Sequence, residues 1–194
     1  MEKELWDSCF ELASLLFPDE EWIPTEPNIW VAKSRLPQEM REPEKWEKEM
    51  AQVRILTIRG SIAFFLPDIE IKGEKFKKCA DLILDGEVME MKTISGTRET
   101  LGGKFRYGYK QGAILLQNCS IIKKHSVFIR LLSDIPVKSV KAKIAGVLKN
   151  RYDEGRFICF FEATGELYIW TYNELKSLIT KKNHPTLQKQ NRVR

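Results

Sequence analysis

The sequence predicts an α/β protein in which helices cover a mixed β-sheet, and three observations lead to this fold class. The 194 residues are 43% hydrophobic and 30% charged, which is ordinary for a folded domain and allows a core without disulfides. Stretches with apolar side chains three and four residues apart alternate with short apolar runs. Their order, α-β-β-β-α-β followed by α-β-β-α, is typical of a mixed sheet with helices packed on it.

The N-terminal quarter is predicted to form an extension. Residues 2–17 carry apolar side chains at helical spacing, so they predict an amphipathic helix. Residues 18–45 contain five prolines, and because proline disfavours helices and central strands, we expect an irregular connector. We therefore expect three parts: an acidic helical and proline-rich extension (1–45), a main domain (46–180) and a basic tail (181–194).

The main domain supplies the remaining elements, which follow from apolar periodicity and from glycine or proline at their ends. The predicted helices cover about residues 44–59, 101 or 105–117, 137–151 and 173–179. The predicted strands cover residues 62–67, 80–86, 87–94, 126–132, 156–161 and 166–171. The second and third of these strands form one predicted hairpin, and the last two form another.

Charge is distributed unevenly along the chain. Residues 1–50 hold 13 acids and 6 bases, a balance of −7, whereas residues 51–194 hold 26 bases and 14 acids, a balance of +12. A basic main domain is the electrostatic footprint expected for a nucleic-acid partner. For the tail, a solvated basic segment is an equal alternative.

The cysteines and the N-terminus predict a cytoplasmic protein without a membrane partner. The four cysteines form no CxxC pair, which argues against a zinc finger and favours reduced, mostly buried thiols. No signal peptide is expected after Met1, and no apolar run approaches the roughly 20 residues of a membrane span.

The most informative segment is ADLILDGEVMEMK, residues 80–92. Asp85-Gly86 between two apolar runs is a strong signal for a two-residue hairpin turn, because glycine tolerates a positive φ. That turn sets a register in which Asp81 faces Glu90, and Lys92 projects from the same face. Two facing carboxylates repel each other unless one takes up a proton or a cation lies between them.

The pattern therefore predicts a site for Mg²⁺, which prefers one or two carboxylates together with waters and phosphates. A bound metal would polarise a phosphoryl oxygen, and Lys92 would orient the attacking water or stabilise developing charge. The alternative interpretation is a surface hairpin with a weak cross-strand ion pair.

Two further segments are candidates for this site. Glu49 shares a helical face with Val53 and Leu56, so its carboxylate could point toward the metal; the alternative is an acid favoured by the helix dipole in the first turn. Residues 98–111 interleave cations with tyrosines, which suits phosphate contact and base stacking. The cations are Arg98, Lys104, Arg106 and Lys110. The alternative there is a solvated helix face with the tyrosines packing inward.

Other chemistries find little support. The chain has two histidines, His125 and His184, and the second lies in the tail. Paired-histidine ribonuclease mechanisms and a Ser-His-Asp triad are therefore poorly supported. Neither a phosphate-binding loop nor a dinucleotide-binding fingerprint occurs.

The order of a helix with a Glu, a strand, a D-x₈-E-x-K hairpin, a helix and a strand resembles the PD-(D/E)xK nuclease superfamily. Within it, the chain resembles the C-terminal tRNase domains of contact-dependent growth inhibition toxins and their phage and mobile-element relatives. The carrying segments are EMAQVRILTIRGSIAFFLPD (49–68), ADLILDGEVMEMK (80–92) and YKQGAILL (109–116). With the late strands they cover roughly residues 46–180. The first motif of the superfamily is often Pro-Asp, whereas Cys79-Ala80 precede Asp81 here.

The resemblance implies a restriction-endonuclease-like fold, with a divalent Mg²⁺ or Mn²⁺ held by Asp81 and Glu90. It implies that Lys92 assists catalysis and that Glu49 and Gln111 support the site. The implied activity is that of an endonuclease acting on RNA, and on tRNA in particular. A toxin of this kind would be delivered into the cytoplasm of a target cell and would have a cognate immunity protein as partner.

Two alternative functions stay open at this point. One is a DNA endonuclease of restriction, resolvase or phage-repair type, and the other is a nucleic-acid-binding module on a degenerate nuclease fold. For residues 1–45 we expect either an acidic arm that covers the basic face, or a packing or homodimerisation arm.

Overall fold

A computed structural model of the protein describes residues 2–36, 41–67, 70–71, 77–78, 80–118, 122, 124–151 and 154–180. The helices in these ranges are α1 (Glu2–Leu16), α2 (Pro43–Thr57), α3 (Arg98–Asn118), α4 (Val137–Leu148) and α5 (Tyr172–Thr180). The strands are β1 (Trp22–Glu26), β2 (Ile29–Ala32), β3 (Ala63–Phe65), β4 (Glu70–Ile71), β5 (Lys77–Lys78), β6 (Leu82–Leu84), β7 (Glu87–Ile94), β8 (His125–Leu131), β9 (Arg156–Phe161) and β10 (Glu166–Thr171).

Eight strands form one mixed sheet in the order β1-β2-β3-β6-β7-β8-β9-β10, and β4 pairs with β5 in a separate ribbon. Three neighbouring pairs run parallel, β2 with β3, β7 with β8, and β8 with β9; the other neighbours run antiparallel. Helices α3 and α4 make the long crossovers that the parallel pairs around β8 require. The predicted α/β class with a mixed sheet is confirmed.

Helices cover both faces of the sheet, and strand β7 shows the division because its side chains alternate between the faces. Met89 and Met91 pack in the apolar cluster under α2. On the opposite face, Val88 belongs to the cluster under α1, and Ile94 belongs to the cluster under α3, α4 and α5. The β7 positions between Val88 and Ile94 on that second face therefore lie at the junction of two apolar clusters.

The expected irregular connector over residues 18–45 is wrong for its middle part, which forms the antiparallel pair β1–β2. The turn between the two strands holds Asn28 at a φ of 63°. Proline is accommodated because β1 is the outermost strand and its register shifts between Pro24 and Glu26. Strand β2 then pairs with β3, so one sheet contains strands from both sides of the predicted boundary at residue 45. The division of the chain there into an extension and a main domain stays a prediction.

The other predicted elements that fall on described residues lie within a few residues of their expected ends. Cys9 and Cys159 are fully buried free thiols, as expected, and burial raises the pKa of each to about 12. Cys79, Cys119 and the basic tail lie outside the described residues.

Candidate active site

The hairpin β6–β7 has the predicted turn and register. Asp85 and Gly86 have positive φ values of 51° and 78°, as a two-residue type I′ turn requires. The carboxylate of Asp85 accepts hydrogen bonds from Ser61 Oγ (3.0 Å) and from the N–H of Ile62 (2.9 Å), which ties the turn to the start of β3. The ladder pairs are Leu84 with Glu87, Ile83 with Val88, and Leu82 with Met89.

Asp81 lies immediately before Leu82, the first residue of β6, and hydrogen bonds hold both its backbone and its side chain. Its N–H donates to the carbonyl of Met89 (3.1 Å), and its Oδ2 accepts from the N–H of Met91 (2.9 Å). Its carbonyl oxygen accepts from the N–H of Leu66 (3.0 Å) and from Nη1 of Arg35 (3.1 Å). Asp81 is 6% exposed, so these bonds fix a buried carboxyl group at the start of β6.

Glu90 lies beside Asp81 and is fully buried. Its Oε1 accepts a hydrogen bond from Lys92 Nζ, while its Oε2 has no hydrogen-bond partner within the part of the chain that the structure describes. Burial, and then the charge of Asp81, raise the pKa of Glu90 well above its ordinary value, and the Lys92 ammonium opposes this rise. Two carboxyl groups thus lie together with the ammonium of Lys92 bonded to one of them, and a further positive charge or a proton would stabilise the pair.

Lys92 is half-buried between the sheet and helix α3. Its Nζ lies 5.5 Å from the ring centre of Tyr107, within the range of a cation–π contact. Behind it, Nε2 of the buried Gln52 on α2 donates to the carbonyls of Lys92 (3.3 Å) and Phe128 (3.2 Å). Helix α2 therefore fixes the backbone of β7 and β8 from one face while the Lys92 side chain is held on the other.

Helix α3 passes directly over Glu90. A Cβ atom added at Gly108 would lie 3.1 Å from Cγ of Glu90 and 3.3 Å from Cγ1 of Val127. Glycine at this position therefore permits the close approach of helix and strand. Gln111 stands one turn further along the same helix and is 4% exposed, so it belongs to the helix face that covers the site.

The predicted supporting acid, Glu49, reaches the site through a second residue. Helix α2 covers the face of the sheet opposite to Glu90, and Oε2 of Glu49 accepts a hydrogen bond from Nη2 of Arg35 (2.7 Å). Arg35 in turn donates to the carbonyls of Leu66 (2.9 Å) and Asp81 (3.1 Å). Glu49 is therefore linked to the backbone of Asp81 by one guanidinium group.

Arg35 is a site residue that the sequence interpretation missed. Its guanidinium lies 5.0 Å from the ring centre of Phe65 and 5.9 Å from that of Trp46, and the residue is 8% exposed. The guanidinium donates to the carbonyls of Leu66 and Asp81 and to the Glu49 carboxylate, which lie 31, 46 and 14 positions away along the chain, so no local spacing could have indicated it.

The four predicted nucleic-acid contacts are all exposed but do not form one row. Arg98, Lys104, Arg106 and Lys110 lie on α3. Helical spacing places Lys104 on the stripe that contains Tyr107 and Gln111, while Arg106 and Lys110 share a different stripe. Lys104 and Lys110 each lie three residues from Tyr107, so both are neighbours of this ring on the helix surface.

The residues of this site fit a divalent metal by their chemistry. Magnesium and manganese prefer hard oxygen ligands, and Mg²⁺ is commonly bound by only one or two carboxylates with waters and substrate phosphates. Asp81 and Glu90 supply two carboxylates, and Oε2 of Glu90 is a buried acceptor without a donor in the described part of the chain. No group of three or more histidine, cysteine or acidic side chains suited to a metal occurs among the described residues.

Comparison of the chain with family models, curated proteins and solved structures found no match in any of the three. In the described part of the chain, no helix combines the length and the apolar composition that a membrane crossing requires.

Proposed function

We propose that the protein is a metal-dependent endonuclease that hydrolyses phosphodiester bonds in nucleic acid. The observation that carries this proposal is the buried pair Asp81 and Glu90, which is completed by Lys92. A carboxylate is costly to bury without a compensating charge, so ionisable groups rarely occupy a sheet interior for packing alone. A pair of them under a helix, with one oxygen lacking a donor, is better suited to a bound cation.

Each residue has a distinct role in this proposal. Asp81 and Glu90 would hold Mg²⁺ or Mn²⁺, which when bound supplies Lewis-acid polarisation of a phosphoryl oxygen and a water of lowered pKa. Lys92 is held by its bond to Glu90 and presents its remaining N–H donors to a substrate phosphate, where they stabilise negative charge as the leaving oxygen departs. Arg35 and Glu49 hold the backbone of Asp81 in place from the opposite side.

The order of elements around the site supports the resemblance to PD-(D/E)xK nucleases. Helix α2 with Glu49 is followed by β3, the hairpin β6–β7, helix α3 and strand β8, which is the order expected from the resemblance. A restriction-endonuclease-like fold is therefore part of this proposal. Gln111 fits it as well, because it lies on the face of α3 that covers the carboxyl pair.

We propose RNA, and tRNA in particular, as the substrate, with DNA as the competing candidate. The net charge of +12 over residues 51–194 suits either polyanion. The preference for RNA follows from the resemblance to toxin tRNase domains. A binding module without turnover is disfavoured because the acids and the lysine that turnover needs lie together.

The first experiment is a cleavage assay on total tRNA, duplex DNA and single-stranded DNA, each with Mg²⁺, Mn²⁺ or EDTA. We expect the wild type to cut at least one substrate in a reaction that EDTA abolishes. Glu90→Gln should lose the activity, whereas the matched control Glu166→Gln, an exposed acid on the outermost strand β10, should keep it. Folded wild-type protein that cuts none of the three with either metal contradicts the proposal.

A further inference from the structure

Tyr107 and Tyr109 are two positions apart on α3 but lie in opposite environments. Tyr109 is 2% exposed and packs against His125 and Tyr172, with ring centres 4.5 Å and 5.6 Å away. Tyr107 is 55% exposed. Single exposed aromatics are common on protein surfaces, so exposure alone does not indicate a function.

The position of Tyr107 sets it apart from other exposed apolar side chains of the protein. Its ring lies 5.5 Å from Lys92 Nζ, and its neighbour Gly108 packs so close to Glu90 that an added Cβ atom would lie 3.1 Å from Cγ of Glu90. The aromatic ring is thus carried by the turn of α3 that covers the carboxyl pair. Because that turn is fixed against β7 and β8, the ring is presented at the rim of the candidate active site by a rigid element.

The helix also places a cation beside the ring. Lys104 is exposed and lies three residues before Tyr107, so the two side chains occupy neighbouring positions on one stripe. Lys92 Nζ lies 5.5 Å from the centre of the same ring and donates a hydrogen bond to Glu90. An aromatic surface with two lysines near it has the chemistry that takes one base of a strand by stacking and the neighbouring phosphates by charge.

We propose that Tyr107 is a stacking subsite for an unpaired nucleobase next to the bond that is cut. The substrate is then a single strand, a loop or an extruded nucleotide rather than a continuous duplex, since a paired base has no face free for the ring. This inference rests on the proposed nuclease function and makes it more specific. Binding measurements without turnover keep the two separable.

The kinetic test uses single-stranded oligonucleotides that contain the mapped cut site and one abasic residue at each position in turn. For the wild type, one abasic position beside the cut should lower kcat/KM roughly 5- to 150-fold, the range for loss of one stacked base. Tyr107→Ala should lower kcat/KM on the intact strand by a similar factor, and the two losses should not multiply. Tyr107→Phe and Tyr107→Trp should retain most of the activity.

The binding test uses a short single strand of mixed sequence with 2-aminopurine at each position in turn, and the Glu90→Gln protein, in which we expect cutting to be abolished. We expect fluorescence quenching at one position, lost when Tyr107→Ala is added and kept in the control Ile169→Ala, which removes a half-exposed side chain on β10. Melting temperatures of all variants establish that they are folded.

Two results would overturn the subsite. One is that the loss of kcat/KM from Tyr107→Ala multiplies with the loss from the abasic residue at every position of the strand. The other is that a perfect duplex is cut as fast as its single strand. If the wild type cuts nothing, the nuclease proposal fails, and the quenching pattern still decides whether Tyr107 stacks on a base. Quenching that does not depend on Tyr107 then removes this inference as well.

Discussion

The two faces of strand β7 are equally buried but chemically opposite. On one face, Met89 and Met91 are 0% and 6% exposed and pack under α2 in a wholly apolar cluster. On the other face, Glu90 is also 0% exposed, yet it carries a carboxyl group that is paired with Lys92 and lies beside Asp81. The same strand, at the same depth, therefore holds side chains that stabilise the fold and side chains that cost free energy to bury.

Under the proposed function, the apolar face stabilises the fold and the polar face carries the chemistry. Buried methionines contribute through apolar contact, whereas a buried charge pair is at best neutral compared with apolar residues of similar size. The polar face is also the one that α3 approaches through Gly108, where an added Cβ atom would lie 3.1 Å from Cγ of Glu90. Substitutions on the two faces should consequently separate folding stability from activity.

The largest effect is expected on the apolar face. Met89→Ala should lower the free energy of unfolding by about 2–5 kcal/mol, because it removes a fully buried side chain and leaves a cavity. Urea or guanidinium unfolding measures the change, and Met91→Leu serves as a volume-conserving control that should cost less than about 1.5 kcal/mol. The cleavage rate per folded molecule should stay within a few-fold of wild type. A loss of activity in excess of the unfolded fraction would show that the two faces are not independent.

On the polar face, Lys92→Met should lower kcat by about 10²–10³-fold, which is the typical loss when one donor to transition-state charge is removed. Steady-state cleavage at saturating metal measures this effect. The matched control is Lys176→Met, which also removes a partly buried lysine. Lys176 lies on α5, on the sheet face opposite to α2, and its Nζ donates to the carbonyl of Arg151. A Lys92→Met protein that retains activity within threefold of wild type would remove Lys92 from the mechanism.

Arg35 connects the two faces at the start of β6, so its removal should affect both properties moderately. Arg35→Met removes one donor from each of the carbonyls of Leu66 and Asp81 and from the Glu49 carboxylate, and the Asp81 carbonyl keeps its bond from the N–H of Leu66, at an expected cost of about 1–3 kcal/mol. If Arg35 positions Asp81 for a metal, Mn²⁺ affinity measured by electron paramagnetic resonance should also fall, by roughly 10- to 100-fold. Glu49→Gln keeps an acceptor for Arg35 and should change both quantities less. Lower stability with unchanged Mn²⁺ affinity would assign Arg35 a structural role alone.

The contrast between the hairpin and the N-terminal segment explains what the sequence could predict. Asp85-Gly86 encodes a turn whose geometry sets the register of two strands within a dozen residues, so the proximity of Asp81 to Glu90 followed from local information. Strand β2 pairs with β3 across about thirty intervening residues, and neither periodicity nor turn chemistry reports such a pairing. The prolines predicted a connector because proline is excluded from central strands. It is accepted in an edge strand, but the edge position of β1 could not be known from the sequence.

The same reasoning applies to individual site residues. Glu49 was predicted from its helical face, but its partner could not be, since Arg35 lies in the segment whose strands were missed. The interleaved residues of α3 were predicted as one surface, whereas helix geometry divides them between stripes and buries Tyr109. Sequence spacing therefore predicted that Asp81, Glu90 and Lys92 lie together, but it did not indicate that Arg35 holds the backbone of Asp81.

The smallest effect, and the one that tests the comparison most directly, is a gain in stability from removing the buried charge. In EDTA, the free energy of unfolding of Glu90→Gln should be about 0.5–2 kcal/mol higher than that of the wild type. Because the pKa of Glu90 is raised in the folded state, the stability that this one group contributes is full below its ordinary value of 4.5 and is lost as pH rises through the folded pKa. The advantage of Glu90→Gln should therefore grow as pH rises above 4.5, and Glu166→Gln, at an exposed position on β10, is the matched control. Excess Mn²⁺ should reverse the order, since a ligand that binds the folded wild type raises its melting temperature and has no equivalent site in the variant. If Mn²⁺ stabilises both proteins equally, Glu90 is not a metal ligand, and its burial needs another explanation.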